Sequence, residues 1–153
     1  MMADNVVLAT NYRMLGVCFR MSAEALRSDI ELDSDHRPTK LTAIPLYFLA
    51  SHSAELFLKS ALLKRGANES ELRSFEFRHN LEALLERLIS KGLPVSQDTQ
   101  SVVRGLSEAH KNHALRYTVL LDDGTKTYWP PLNAVFSGLE ELLSLTAISR
   151  HGK

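Results

Sequence analysis

The 153-residue chain has one cysteine, Cys18, so it can close no internal disulfide and nothing in its fold requires an oxidising compartment. It has no excess of charge: 18 Lys and Arg balance 18 Asp and Glu, which removes any bulk electrostatic grip on nucleic acid and leaves only local patches for such contact. No run approaches the roughly 20 apolar residues that cross a bilayer. Even the most apolar stretch, residues 44–63, is broken by His52, Glu55 and Lys59. The opening residues carry Asp4 where an export signal needs positive charge, so the expected setting is the cytoplasm, with no membrane contact. Strand-forming residues are scarce as well. Val and Ile together number 12, against 26 Leu and 14 Ala, and that balance predicts an all-α fold.

With 44% hydrophobic residues the chain has enough apolar material for a core, and its length suits one domain, 1–153. The apolar periodicity predicts a first helix over 5–30, with Val7, Met14, Leu15, Cys18, Met21, Ala25 and Leu26 on its buried stripe and Asp4 or Asn5 as cap. Cys18 on that stripe reads as a buried thiol rather than a nucleophile. Residues 29–40 lack a stripe and form a loop. A second helix starts near Thr42, its cap, holds Pro45 in the first turn and ends at Gly66. It is apolar almost all round, which makes it the central helix.

Asn68-Glu69-Ser70-Glu71 has capping-box spacing and opens a short helical turn. A third long helix spans 80–91 and stops at Gly92; a fourth opens at Ser96 and runs to about 113; a last one spans 132–148. Between these, residues 117–129 alternate in polarity around Asp122-Asp123-Gly124 and predict a small β-hairpin. Short connections then predict an up-and-down four- or five-helix bundle.

The polar line His52, Glu55, Lys59 is the most informative chemical feature. An unpaired charge at that place in a central helix would cost several kcal/mol or neutralise itself, so Glu55 must be paired. Lys59 reaches it along the helix, and His79 or Arg116 are the long-range candidates. A structural ion pair fixing helix register and a ligand-binding cluster both fit this set of His52, Glu55, Lys59, His79 and Arg116. His110 and His113 share a helix face, but no Cys pair or Glu-x-x-His motif stands nearby, so no metal or other cofactor is expected. Nucleophile elbows and phosphate-cradling glycine loops are absent.

The string Ala54-Glu55-Leu56-Phe57-Leu58-Lys59-Ser60-Ala61-Leu62-Leu63-Lys64-Arg65-Gly66, then His79-Asn80-Leu81-Glu82-Ala83-Leu84-Leu85, then Leu115-Arg116-Tyr117, resembles the HEPN (higher eukaryotes and prokaryotes nucleotide-binding) domain family. The resemblance covers about residues 45–117. It implies an up-and-down helical bundle, commonly a homodimer, of the kind found in toxin–antitoxin, phage-defence and RNA-processing proteins. Many members are metal-independent endoribonucleases with an Arg-x(4–6)-His motif at the dimer cleft, in which Arg holds the scissile phosphate and His moves protons. This chain departs from that pattern: no His follows Arg116 at the required distance. Arg73 with His79 and Arg104 with His110 fit the spacing alone, so Arg104, His110 and His113 are the candidate catalytic residues. Two functions are expected on this basis. One is a non-catalytic interaction module, associated with RNA, a nucleotide or a partner protein. The other is an endoribonuclease with a dimer-interface site.

Overall fold

The computed structural model describes residues 2–74, 76–111 and 129–147. Among them are six α-helices and no strand: α1 (Met2–Arg27), α2 (Ile44–Lys64), α3 (Glu69–Leu72), α4 (Leu81–Ser90), α5 (Gln97–Lys111) and α6 (Leu132–Thr146). The fold is all-α, as the leucine and alanine content predicts. The expected hairpin at 117–129 lies outside the described residues except for Trp129, which belongs to no strand.

Local chemistry sets several helix ends. Asn68 accepts a hydrogen bond from the N–H of Glu71 and Asn80 from that of Ala83, and Ser96 accepts from Thr99, so α3, α4 and α5 each begin on a side-chain cap. Gly66 and Gly92, with φ of +95° and +90°, end α2 and α4. In both, the residue after the glycine donates back five positions, Ala67 to Leu62 and Leu93 to Leu88, in the Schellman arrangement that only a left-handed residue permits. The start of α2 differs from expectation. A 3-10 turn, Leu41–Ala43, runs directly into the helix, so Thr42 sits inside that turn and Ala43 takes the cap position without a side-chain bond.

The central helix is α2, with Leu46, Tyr47, Phe57, Leu58 and Leu62 fully buried. Helix α1 runs antiparallel to it, because Ser53 donates to the carbonyl of Gly16 and Ser60 to that of Ala9. The residues of α1 that face α2 are small: Ala9, Gly16 and Ala23, seven apart and all buried. The stripe of Val7, Met14, Cys18 and Met21 lies on the opposite side and is exposed, which corrects the expected orientation of α1 and the expected burial of Cys18. The reason is closeness: at Gly16 an added Cβ would lie 2.6 Å from the Phe57 ring, a separation that admits no larger side chain.

Helix α6 runs parallel to α2, tied by Tyr47 to Pro130 at one end and Lys64 to Thr146 at the other. Helix α5 is antiparallel to α6, since Ser96 meets Glu141 and Gly105 meets Pro130. Strict up-and-down alternation breaks once. His79, just before α4, lies beside Glu55 in the middle of α2, while Arg87 near the end of α4 pairs with Glu71 beyond the end of α2. Helix α4 therefore points the same way as α2. Residues 65–80, with α3 folded among them, carry the chain back along about 14 Å of α2, well within their reach. Buried apolar residues of all six helices join in one core.

Candidate functional site

Glu55 projects from the middle of α2 into the region between α4 and α5 and is 2% exposed. Four side chains surround its carboxylate. Lys59, one turn on, places Nζ 3.1 Å from Oε1. His110 from α5 places Nε2 3.1 Å from Oε2. His79 contributes twice: its backbone N–H donates to Oε1 at 3.3 Å, and Nδ1 lies 3.4 Å from Oε2. His52 Nδ1 stands 3.6 Å from Oε2, beyond hydrogen-bond range. That nitrogen is buried and has no hydrogen-bond partner among the described residues.

Local backbone and packing explain why these groups converge. His52, Glu55 and Lys59 are separated by three and four residues and so share one helix face. His79 has φ of +56°, a left-handed conformation that costs a non-glycine residue of order 1–3 kcal/mol and that here aims both its N–H and its ring at Glu55. Phe19 meets the His52 ring edge-on at 4.5 Å and Phe48 stacks parallel to it, fixing its plane. The His79 and His110 rings meet edge to face at 5.6 Å. Ser107, one turn before His110, accepts from the N–H of Glu82 and so closes the N-terminus of α4.

Burial on its own pushes the Glu55 carboxyl up. The hydrogen bond from His110, the adjacent His52 and the Lys59 charge outweigh it and hold the group well below the usual carboxylate range. Glu55 is thus an ionised carboxylate in a nearly dry setting. His52 and His79, at 29% and 30% side-chain exposure, form the wall between it and solvent.

The sequence-predicted residues divide accordingly. His52, Glu55, Lys59 and His79 come together as expected, and Arg116 and His113 lie outside the described residues. His110, expected as a catalytic candidate beside Arg104, is instead a buried partner of Glu55. Arg104 is on the other side of α5, exposed, with Nε 3.4 Å from Glu82 and a terminal nitrogen 3.3 Å from Gln100. Six residues along a helix turn two side chains well apart, so this pair shares no cleft. Arg73 likewise pairs with Glu69 on the surface. Sequence reasoning missed His110 as the mate of Glu55 because the two are 55 positions apart and only the antiparallel run of α5 brings them together. A groove of about 440 Å³ between α5 and α6, lined by Val102, Gly105, Trp129, Pro130 and Asn133, shares no residue with the cluster. Comparison with family models, curated proteins and solved structures returns no match.

Proposed function

We propose that this chain is a HEPN-like helical module that acts by association rather than by catalysis, as a homodimer joined through the outer face of α1. One observation carries this reading. Val7, Met14 and Met21 are 61%, 59% and 66% exposed on the side of α1 turned away from its own bundle. With Asn11, Cys18 and Ala25 they recur at alternating intervals of four and three, the seam of a two-stranded coiled coil about 27 Å long. Leu15 flanks the seam at 49% exposure. Asn11 occupies an inner position of the repeat, where a buried amide favours two strands in one register over slipped pairings. A self-complementary surface of this kind fits a second copy of the same chain, since a two-fold axis sets the same patch against itself.

The immediate flanks of the seam are Leu8, Thr10, Leu15, Val17, Ser22 and Glu24, so there is one charged position to repel its mate. Arg13 and Arg20 turn instead toward α6, to Thr146 and Glu140. Neutral net charge suits pairing better than sequence-independent RNA binding. The resemblance supplies the wider setting: a cytoplasmic, RNA- or nucleotide-associated component of a toxin–antitoxin or phage-defence system. The endoribonuclease reading loses support from the separation of Arg104 and His110.

Sedimentation equilibrium tests the association. A dimer at tens of micromolar is expected, with Met14→Lys and Met21→Lys together giving a folded monomer. A monomeric native chain would refute the proposal. Cleavage of RNA by the native chain, lost in Arg104→Ala or His110→Ala, would restore the enzyme.

A further inference from the structure

We infer that His52 Nδ1, Glu55 Oε2 and His110 Nε2 form a binding site for a divalent transition-metal ion of the zinc class. This does not rest on the dimer proposal. The three donor atoms lie within 4.8 Å of one another. Zinc bonds of about 2.0–2.1 Å to nitrogen and oxygen imply tetrahedral ligand-to-ligand edges of about 3.3 Å. The edges from Oε2 are 3.1 Å to His110 and 3.6 Å to His52, so two of the three are already close to that length. The third, between the two rings, is no longer than 4.8 Å.

The chemistry of the donors agrees with the spacing. Two imidazoles and one carboxylate are a set zinc accepts with a fourth position left for water, whereas magnesium and calcium require oxygen donors throughout. His52 Nδ1 is the telling atom. It is buried, faces Oε2 from outside hydrogen-bond range, and has no hydrogen-bond partner among the described residues. Glu55 divides its two oxygens between tasks: Lys59 sits on Oε1 and leaves Oε2 to the two rings. The Lys59 cation opposes a second cation nearby, but it lies on the far oxygen and supports the ligand in its ionised form. His79 Nδ1, 3.4 Å from Oε2, sits within reach of a water on the fourth position. Each ring ligates as neutral imidazole, so the proton on a ligating nitrogen moves to the other ring nitrogen and no electron is exchanged.

The test uses the untagged full-length chain carrying Cys18→Ser, to remove the exposed thiol as a rival ligand, after chelator treatment. Zinc titration by calorimetry should saturate at one ion per chain and raise the melting temperature, and Co2+ should give the intense visible absorption of a tetrahedral site. His52→Ala decides the matter, because Lys59, His79 and His110 keep their contacts with Glu55 when the His52 ring is removed. It should weaken zinc binding by more than the 10–100-fold that loss of an outer-shell partner costs, with unchanged helical circular dichroism. His110→Gln should do the same where it folds. Binding that fails to saturate at one equivalent, a pale six-coordinate cobalt spectrum, or undiminished affinity in His52→Ala would each overturn the assignment.

Discussion

Replacing Glu55 by alanine removes the one acceptor shared by Lys59 Nζ, the His79 N–H, His79 Nδ1 and His110 Nε2. The consequences for these donors differ. Lys59 is 16% exposed and its ammonium can swing to water along a flexible stem, and His79 stands at the surface of the cluster. His110 is 2% exposed and cannot turn outward. The cost of the substitution is therefore that of breaking a buried pair, about 3–5 kcal/mol, of which the stranded imidazole is the main part. In a domain of this length about 2–4 °C of melting temperature accompanies each kcal/mol, so thermal unfolding by circular dichroism should shift down by about 6–20 °C. Combining Glu55→Ala with His110→Leu should recover part of the loss, because the orphaned donor is then gone. A Glu55→Ala chain that melts within about 2 °C of the native one would show that the carboxylate holds nothing together.

Gly16→Ala should lower stability by about 1–3 kcal/mol in urea unfolding, even though alanine favours the helix by up to about 1 kcal/mol, because the new Cβ would meet the buried Phe57 ring at 2.6 Å. Tyr47 is buried with its hydroxyl donating 2.6 Å to the carbonyl of Pro130, and burial pushes its pKa up. Its contribution is therefore complete below the free phenol value of about 10 and declines as pH rises beyond it. Melting temperatures from pH 8 to 11.5 should accordingly fall more steeply in the native chain than in Tyr47→Phe, and parallel curves would count against this assignment. Asn80→Ala should cost about 1 kcal/mol by loss of the α4 cap and should leave the stability of α1 packing unchanged, as hydrogen exchange at α1 amides would register.

What the sequence made legible is the part of the fold written in neighbouring residues. The capping box at Asn68, the helix start at Ser96 and the left-handed stops at Gly66 and Gly92 act within one turn, and a polar line on an apolar helix announces a buried charge wherever the rest of the chain lies. The mate of that charge is legible only in part. His79 could be named from its place ahead of α4, whereas His110 depends on how α5 returns past α2. The face of α1 was legible in principle but reads the wrong way round. Large residues at helical spacing are taken for the core, and here the core side is marked by Ala9, Gly16 and Ala23. The signal was the seven-residue recurrence of small side chains, the mark of a backbone brought unusually near its neighbour. The sense of α4 was hidden because connection length bounds reach without fixing direction.

The two serine hydroxyls of α2, at 53 and 60, grip two carbonyls of α1, at 16 and 9, that are spaced by the same interval. Sliding α1 by one turn would break both grips at once and drive a larger residue against Phe57. Helix α1 therefore behaves as a fixed rail bolted to the bundle. A protein arriving on its outer side meets a surface whose shape is set beforehand, so the rate of capture depends on orientation at encounter rather than on any rearrangement of this chain.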